Sequence, residues 1–231
     1  MTTPLPISGY VLAGGRSSRM GTDKSLLELA GKPLIAHAVA KLSRICSSVH
    51  ILSSNPAHAA FAPLVADLHP HCGPVGGIEA GLAHTSRAWN LILPVDVPFL
   101  PAAILQAWAA STIRPAAASM AETPVRVAIF AAEGRPQPAI SLLHRDIAPS
   151  IAAAVALGEL ELLPVLEASA EVLALQSDQP VGELLSIAPA PNPDSAALTS
   201  AQLAARHLWF ANLNTPQDFA IASSHSDALD T

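Results

Sequence analysis

Short, largely apolar runs that each stop at a turn, separated by segments with helical spacing, constrain this chain more than any other feature. Residues 7–12 form one run and end at Gly14-Gly15. Residues 49–52 form a second, ending at Ser53-Ser54-Asn55-Pro56, and residues 91–95 a third, followed by Asp96 and Pro98. A strand buried on both faces reads as such a continuous run. Between them, Pro33 opens a segment to Ile45 with Leu34, Ile35, Ala38, Val39 and Leu42 at helical spacing, and proline suits a first helical turn. Residues 78–84 and 101–110 read as further helices, and 67–77 as irregular. The alternation continues through 127–131, 139–143, 147–157 and 171–175. Such a pattern predicts an α/β fold: a three-layer, Rossmann-like, doubly wound and mainly parallel sheet. Ligands of these sheets bind beyond the carboxyl ends of the strands, so the glycine loop, Asn55 and Asp96 should converge on one edge.

With 231 residues the chain reads as a single domain, residues 1–231, with residues 1–113 as one half and 114–231 as the other. Residues 176–205 depart from the scheme. Prolines 180, 189, 191 and 193 stand among alanines and serines, which predicts a surface excursion, irregular over 186–200. No stretch approaches the roughly 20 apolar residues of a membrane span. No basic residue precedes Arg16, which argues against a secretory leader. Two cysteines, Cys46 and Cys72, make no disulfide framework, and a cytoplasmic protein is expected.

Charge is scarce, at 13% of residues, and the net charge is −6, which disfavours nucleic acid or a membrane surface as partner. Its distribution says more. Six of the twelve basic residues (Arg16, Arg19, Lys24, Lys32, Lys41, Arg44) fall in residues 1–64, against only two of the eighteen acids, Asp23 and Glu28. A local positive field in an acidic protein suits a small anionic ligand. In the string YVLAGGRSSRMGTDK, residues 10–24, two glycines admit a ligand close to the backbone. The loop amides with Arg19 and Lys24 then make a cradle for a triphosphate. The glycines alone would equally suit a tight strand-to-helix turn. The spacing matches neither a P-loop nor a dinucleotide-binding fingerprint.

The whole string LAGGRSSRMGTDK, Leu12 to Lys24, resembles the signature of the molybdenum cofactor guanylyltransferases, which attach a guanylyl group to molybdopterin. The resemblance continues through LLELAGKPLIAHAV, GPVGGIEAGL, LPVDVPFLP and GRPQPAISLLHRDIAPSI to FANLNTPQDF. It implies a fold of the nucleotide-diphospho-sugar transferase type, with residues 1–113 holding the nucleotide and 114–231 the acceptor. It implies GTP and molybdopterin as substrates, Mg2+ as cofactor, and cofactor-biosynthesis proteins or apo-molybdoenzymes as further partners. Leu12, Ala13, Gly14 and Gly15 would line the guanine and its sugar, Arg19 and Lys24 would face the phosphates, and Asp67 would contact the nucleotide. Asp96 would bind magnesium, so that Arg19, Lys24 and Asp96 form the catalytic set. An asparagine that the family carries after the second strand corresponds to Asn55 or to Ser53. The segment GELELLP, where relatives tend to carry arginine, and the long proline-rich excursion depart from the pattern. Sugar and isoprenoid nucleotidyltransferases and the cytidylyltransferase of the same pathway share the fold, usually with an alanine-glycine loop. A related enzyme using another nucleotide or acceptor, and a non-catalytic nucleotide-binding adaptor, are the alternatives.

Other residues have plainer readings. Asp96 alone would equally cap a turn before Pro98. His69-Pro70-His71-Cys72 lacks a second ligand pair at zinc spacing and reads as loop. Trp89, Trp108 and Trp209 read as packing residues. Asn212 and Asn214 suit either pterin contact or a helix cap before Thr215-Pro216, and Arg135 and Gln137 face either substrate or solvent.

Overall fold

The structure is a computed structural model that describes residues 3–14, 23–113, 124–189 and 197–230. In chain order the elements are β1 (Leu5–Leu12), β2 (Glu28–Leu29), β3 (Lys32–Pro33), α1 (Leu34–Ile45), β4 (Cys46–Leu52), β5 (Leu64–Val65), α2 (Gly73–His84), β6 (Trp89–Pro94) and α3 (Ala102–Ile113). They continue with β7 (Val127–Ala132), β8 (Arg135–His144), α4 (Ala148–Leu157), α5 (Leu162–Ser177), α6 (Val181–Leu184), β9 (Leu185–Pro189), α7 (Ser200–Ala204) and α8 (Pro216–Ser223). Seven strands make one sheet in the order β5-β4-β1-β6-β8-β7-β9. β8 alone runs against the others, antiparallel to both β6 and β7.

Each strand feeds two cores. Val11, Leu91, Leu93, Ala128 and Phe130 face one side with α1, α3 and the segment around Leu208, Trp209 and Leu213. Tyr10, Leu12, Ile92, Val127 and Ile129 face the other with α2, α4 and α5. The period of two along each strand assigns neighbours to opposite faces, which is why the runs look largely apolar in sequence. Trp108 and Trp209 are buried, as expected of packing residues, and Trp89 meets the His144 ring edge-on. Among the described residues no helix is long and apolar enough to cross a membrane.

Three expectations need correction. Residues 127–144 do not continue the strand-helix alternation; β7 and β8 form a hairpin through Glu133 (φ 49°) and Gly134 (φ 74°), a tight turn with two left-handed residues. Residues 171–175 lie inside the 16-residue helix α5. Residues 186–200 are not irregular throughout: Leu185–Pro189 is a regular strand pairing parallel with β7, and Ser200–Ala204 is helical with a Thr199–Gln202 capping box. An edge strand needs partners on one side only, so Pro189 at its end is tolerated. Residues 190–196, the rest of that excursion, lie outside the described residues.

Helix α2 starts at Gly73, five residues earlier than its apolar spacing suggested. Its glycines mislead because their role is proximity. A Cβ on Gly81 would stand 3.2 Å from Leu52 and 3.4 Å from Tyr10, and one on Gly77 would stand 3.5 Å from both Leu12 and Leu52. The helix therefore lies close on β1 and β4, next to the loops that carry the site.

Candidate active site

Leu12 pairs with Leu52 on one side and with Pro94 on the other, so β1, β4 and β6 end level. The chain leaves these ends through Ala13-Gly14, Ser53-Ser54-Asn55 and Val95-Asp96, and β5 delivers Asp67 two residues past its end. Backbone bonds tie the turns together: Val95 N–H donates to the Leu12 carbonyl (3.3 Å) and Leu213 N–H to the Asp96 carbonyl (3.1 Å). The predicted convergence of Leu12, Ala13, Gly14, Asn55 and Asp96 is what the sheet builds. Gly15 and Arg19 lie outside the described residues.

Lys24 reaches the centre of this edge. Its Nζ donates to Asp96 Oδ2 at 2.9 Å and to Asn214 Oδ1 at 2.6 Å. Lys24 and Asp96 are 14% and 24% exposed, enough for a ligand to reach both. Asn214 comes from the segment before α8, where Asp218 accepts from the backbone N–H groups of Asn214 and Thr215. Those bonds hold the Asp218 carboxyl below the usual carboxylate range. The cap of α8 is formed by Thr215 and Asp218 rather than by Asn212 or Asn214, which leaves the Asn214 side chain for Lys24.

The adjacent acid does not pair with Lys24. Asp23 Oδ2 accepts from Asn55 Nδ2 (2.8 Å) and lies 2.9 Å from His58 Nε2, while Oδ1 accepts from Ser25 N–H (3.0 Å) and Ser25 Oγ (2.6 Å). Burial would push its carboxyl up, but the bonds from Ser25 and Asn55 and the nearby His58 ring hold it below the ordinary value. His58, buried, also contacts Ser53 Oγ at 2.8 Å through Nδ1, and Ser53 Oγ accepts from Asn55 N–H at 3.0 Å. Both candidates for the post-β4 contact are therefore engaged in this network. Asn55 spends its amide on Asp23 and its oxygen on Ala57 N–H. What these loop residues offer a nucleotide is mainly backbone.

Asp67 is partly buried, which pushes its carboxyl up, and its Oδ1 lies 3.8 Å from where a Cβ on Gly77 would be. His69 pairs with Glu79 at 2.9 Å, while Cys72 N-caps α2. The sequence pattern does not single out His58 or Ser25. A histidine in Pro56-Ala57-His58-Ala59 gives no hint of burial by itself, and its partners lie 5 to 35 residues away.

Residues 9–172 match the model of the MobA-like NTP transferase domain, well over half of the chain. The chain belongs to the MobA-like NTP transferase family. It is 35% identical over 171 residues to the molybdenum cofactor guanylyltransferase of Serratia proteamaculans, covering 71% of this chain and 80% of that protein. The guanylyltransferase of Vibrio atlanticus is 31% identical over 223 residues, covering 94% of this chain and 96% of that one. Among solved structures, molybdopterin-guanine dinucleotide biosynthesis protein A from Archaeoglobus fulgidus superposes with a TM-score of 0.65 at 19% identity, over 96% of this chain and all of that one. The 2-C-methyl-D-erythritol 4-phosphate cytidylyltransferase from Thermus thermophilus does so with a TM-score of 0.58 at 14% identity, over 96% of this chain and all of that one. These two share the fold. Within the MobA-like family, the match spans β1 through most of α5, and so every strand end that carries the site.

Proposed function

We propose that this protein transfers GMP from GTP to molybdopterin, forming molybdopterin guanine dinucleotide and pyrophosphate in the cytoplasm. The observation that carries the site assignment is the contact of Lys24 with Asp96 where the ends of β1, β4 and β6 meet. A family of NTP transferases needs a cation and a carboxylate at that place, and this chain brings both there from positions 72 residues apart.

Nucleotidyl transfer asks mainly for positioning and for neutralisation of phosphate charge. A phosphate oxygen of molybdopterin attacks the α-phosphorus of GTP; a new P–O bond forms there as the bond to the bridging oxygen breaks, and pyrophosphate leaves with that electron pair. The backbone at Leu12, Ala13 and Gly14 lines the nucleotide, and the sequence pattern assigns Gly15 and Arg19, outside the described residues, to the same nucleotide. Lys24, released from Asp96, sets its ammonium against the phosphates and offsets the charge that grows on the departing pyrophosphate. Asn214 steers that ammonium from the acceptor side of the cleft.

Asp96 fits a magnesium ion, because its Oδ2 already holds a cationic group in the Lys24 ammonium. Magnesium is commonly held by one or two carboxylates, with phosphate oxygens and waters completing its shell. When bound, it would neutralise phosphate charge and align the oxygens for displacement. Asp96 would hold it, and Lys24 would give up that carboxylate in exchange.

The deciding experiment incubates the protein with GTP, Mg2+ and molybdopterin and follows the dinucleotide and pyrophosphate, with CTP and UTP as parallel arms. Dinucleotide from GTP is the expected result. Product from CTP alone would reassign the protein to cytidylyl transfer, and no product from any nucleotide would favour an adaptor.

A further inference from the structure

Lys41 is a charged residue that the chemistry above does not use. It lies on the face of α1 that carries Leu34, Ala38 and Leu42, and its side chain is 2% exposed. Its Nζ donates to the carbonyls of Pro98 (2.8 Å) and Leu100, and stands 3.5 Å from Asp230 Oδ2. An ammonium has three N–H donors, and these acceptors account for all three. Asp230 is engaged in turn: its Oδ2 accepts from Ala102 N–H (3.0 Å), at the start of α3, and its Oδ1 from Gln202 Nε2 (3.1 Å). One buried ammonium thus gathers α1, the start of α3, α7 and the segment around Asp230.

Burial pulls the Lys41 pKa down to about 8, against the pull of Asp230 and with the Arg44 charge adding to the drop. A buried ion pair of this kind is a weak source of stability, and an apolar residue of similar length often serves the fold as well. What the ammonium holds is more specific. Pro98 and Leu100 follow Asp96 by two and four residues, and the turn they form packs Val97, Phe99 and Leu100 into the core. On its other side the turn is held by Leu213 N–H at the Asp96 carbonyl. Asp96 therefore sits on a short turn pinned at both sides, with Lys41 supplying the pin from the interior.

We propose that Lys41, with Asp230 as its counter-ion, is a positioning residue for the candidate active site: it grips the turn 97–100 from behind and so fixes where Asp96 presents its carboxylate to a nucleotide-bound cation. This rests on Asp96 being the cation-binding carboxylate, and the test separates the two. Using the full chain, GTP binding is measured by calorimetry over a magnesium titration for the wild type, Asp96→Asn, Lys41→Met and Asp230→Asn. Thermal melting and backbone hydrogen exchange over residues 97–104 accompany it. Lys41→Met is expected to need about tenfold more Mg2+ for half-maximal GTP binding, to exchange faster over 97–104, and to bind GTP without Mg2+ as the wild type does. Asp230→Asn should shift both readouts in the same direction by less, and decides the matter should Lys41→Met fail to fold. An unchanged magnesium requirement and unchanged exchange in the folded variants, with the requirement raised in Asp96→Asn, would overturn the role of Lys41. If Asp96→Asn itself leaves the requirement unchanged, the cation assignment falls and this role with it.

Discussion

Two lysine–aspartate pairs flank the same turn and behave as opposites. Lys24–Asp96 is short, at 2.9 Å, and open to the cleft. Lys41–Asp230 is longer, at 3.5 Å, and its lysine is sealed in the interior. A pair that keeps some exposure can re-solvate either member when the other leaves, so its members can change partners. A sealed pair has lost its hydration and cannot be broken on one side without leaving a bare charge. The first arrangement suits groups that must release each other when a triphosphate arrives. The second suits a group that must stay still while they do.

The comparison is broken most directly at the cleft. Lys24→Ala and Asp96→Asn should each lower turnover by roughly a hundredfold or more, the loss expected for a preorganised charge partner, with melting temperatures close to wild type. Steady-state rates at saturating GTP beside thermal melts check this. A large fall in stability with either variant would make the open pair structural.

The interior pair should show itself in alkaline stability. The Lys41 pKa falls from 10.5 in the unfolded chain to about 8 in the fold. Between those values the unfolded chain holds a proton that the folded chain has released, so the contribution of this site to stability rises with pH through that window. The full change is on the order of 3 kcal/mol. Denaturant midpoints of the wild type and Lys41→Met from pH 7 to pH 10.5 should therefore diverge in favour of the wild type as pH rises. A constant gap would mean that the ammonium is better solvated than its burial indicates.

Between these extremes lies His58, buried yet bonded to the loop beside Lys24. His58→Ala leaves Asp23 and Ser53 each one partner short, and should cost about 1–3 kcal/mol in unfolding free energy, with weaker GTP binding; equilibrium unfolding and calorimetry read both. The smallest effect concerns the base. GTP should bind at least about tenfold more tightly than ATP or CTP, roughly 1.4 kcal/mol, through the backbone at Leu12, Ala13 and Gly14. Equal affinities by calorimetry would remove the guanine preference while leaving the phosphate site intact.

The strands that carry the site were legible because burial makes them largely apolar runs that stop at turns, and a parallel sheet sends their ends to one edge. Asp96 was legible because it directly follows such a run, and Lys24 because basic residues crowd the glycine loop in a chain where charge is scarce. The hairpin was not: Glu133 adopts a left-handed conformation usually marked by Asn or Asp, so Glu-Gly did not announce a turn. The start of α2 was hidden because glycine weakens helix propensity, and only the nearness of Tyr10 and Leu52 explains its presence there. Asp23 adjoins Lys24 in sequence, but its partners are Ser25 beside it and Asn55 and His58 in the loop after β4, a pairing that nothing local announces. Lys41 did carry a signal, since it falls three residues after Ala38 on the apolar face of α1. That position usually holds an aliphatic residue, and nothing local tells a buried lysine from a surface one.

The antiparallel placement of β8 has a consequence for how the chain reaches its native state. Leu91, Ile92 and Leu93 on β6 are buried, but one edge of that strand is completed only by β8, about 50 residues further on; Asn90 bonds to Leu143 across a separation of 53. During synthesis β6 can pair with β1 first, and then presents a row of unpaired backbone N–H and C=O groups until the hairpin turn at Glu133-Gly134 brings β8 back. Exposed edges of this kind recruit other chains, and closing a long loop is slow compared with local pairing. Gly134, at φ 74°, closes the turn that ends this exposure. A β-branched residue there would strain the turn and lower the yield of folded protein, read as soluble protein recovered after refolding.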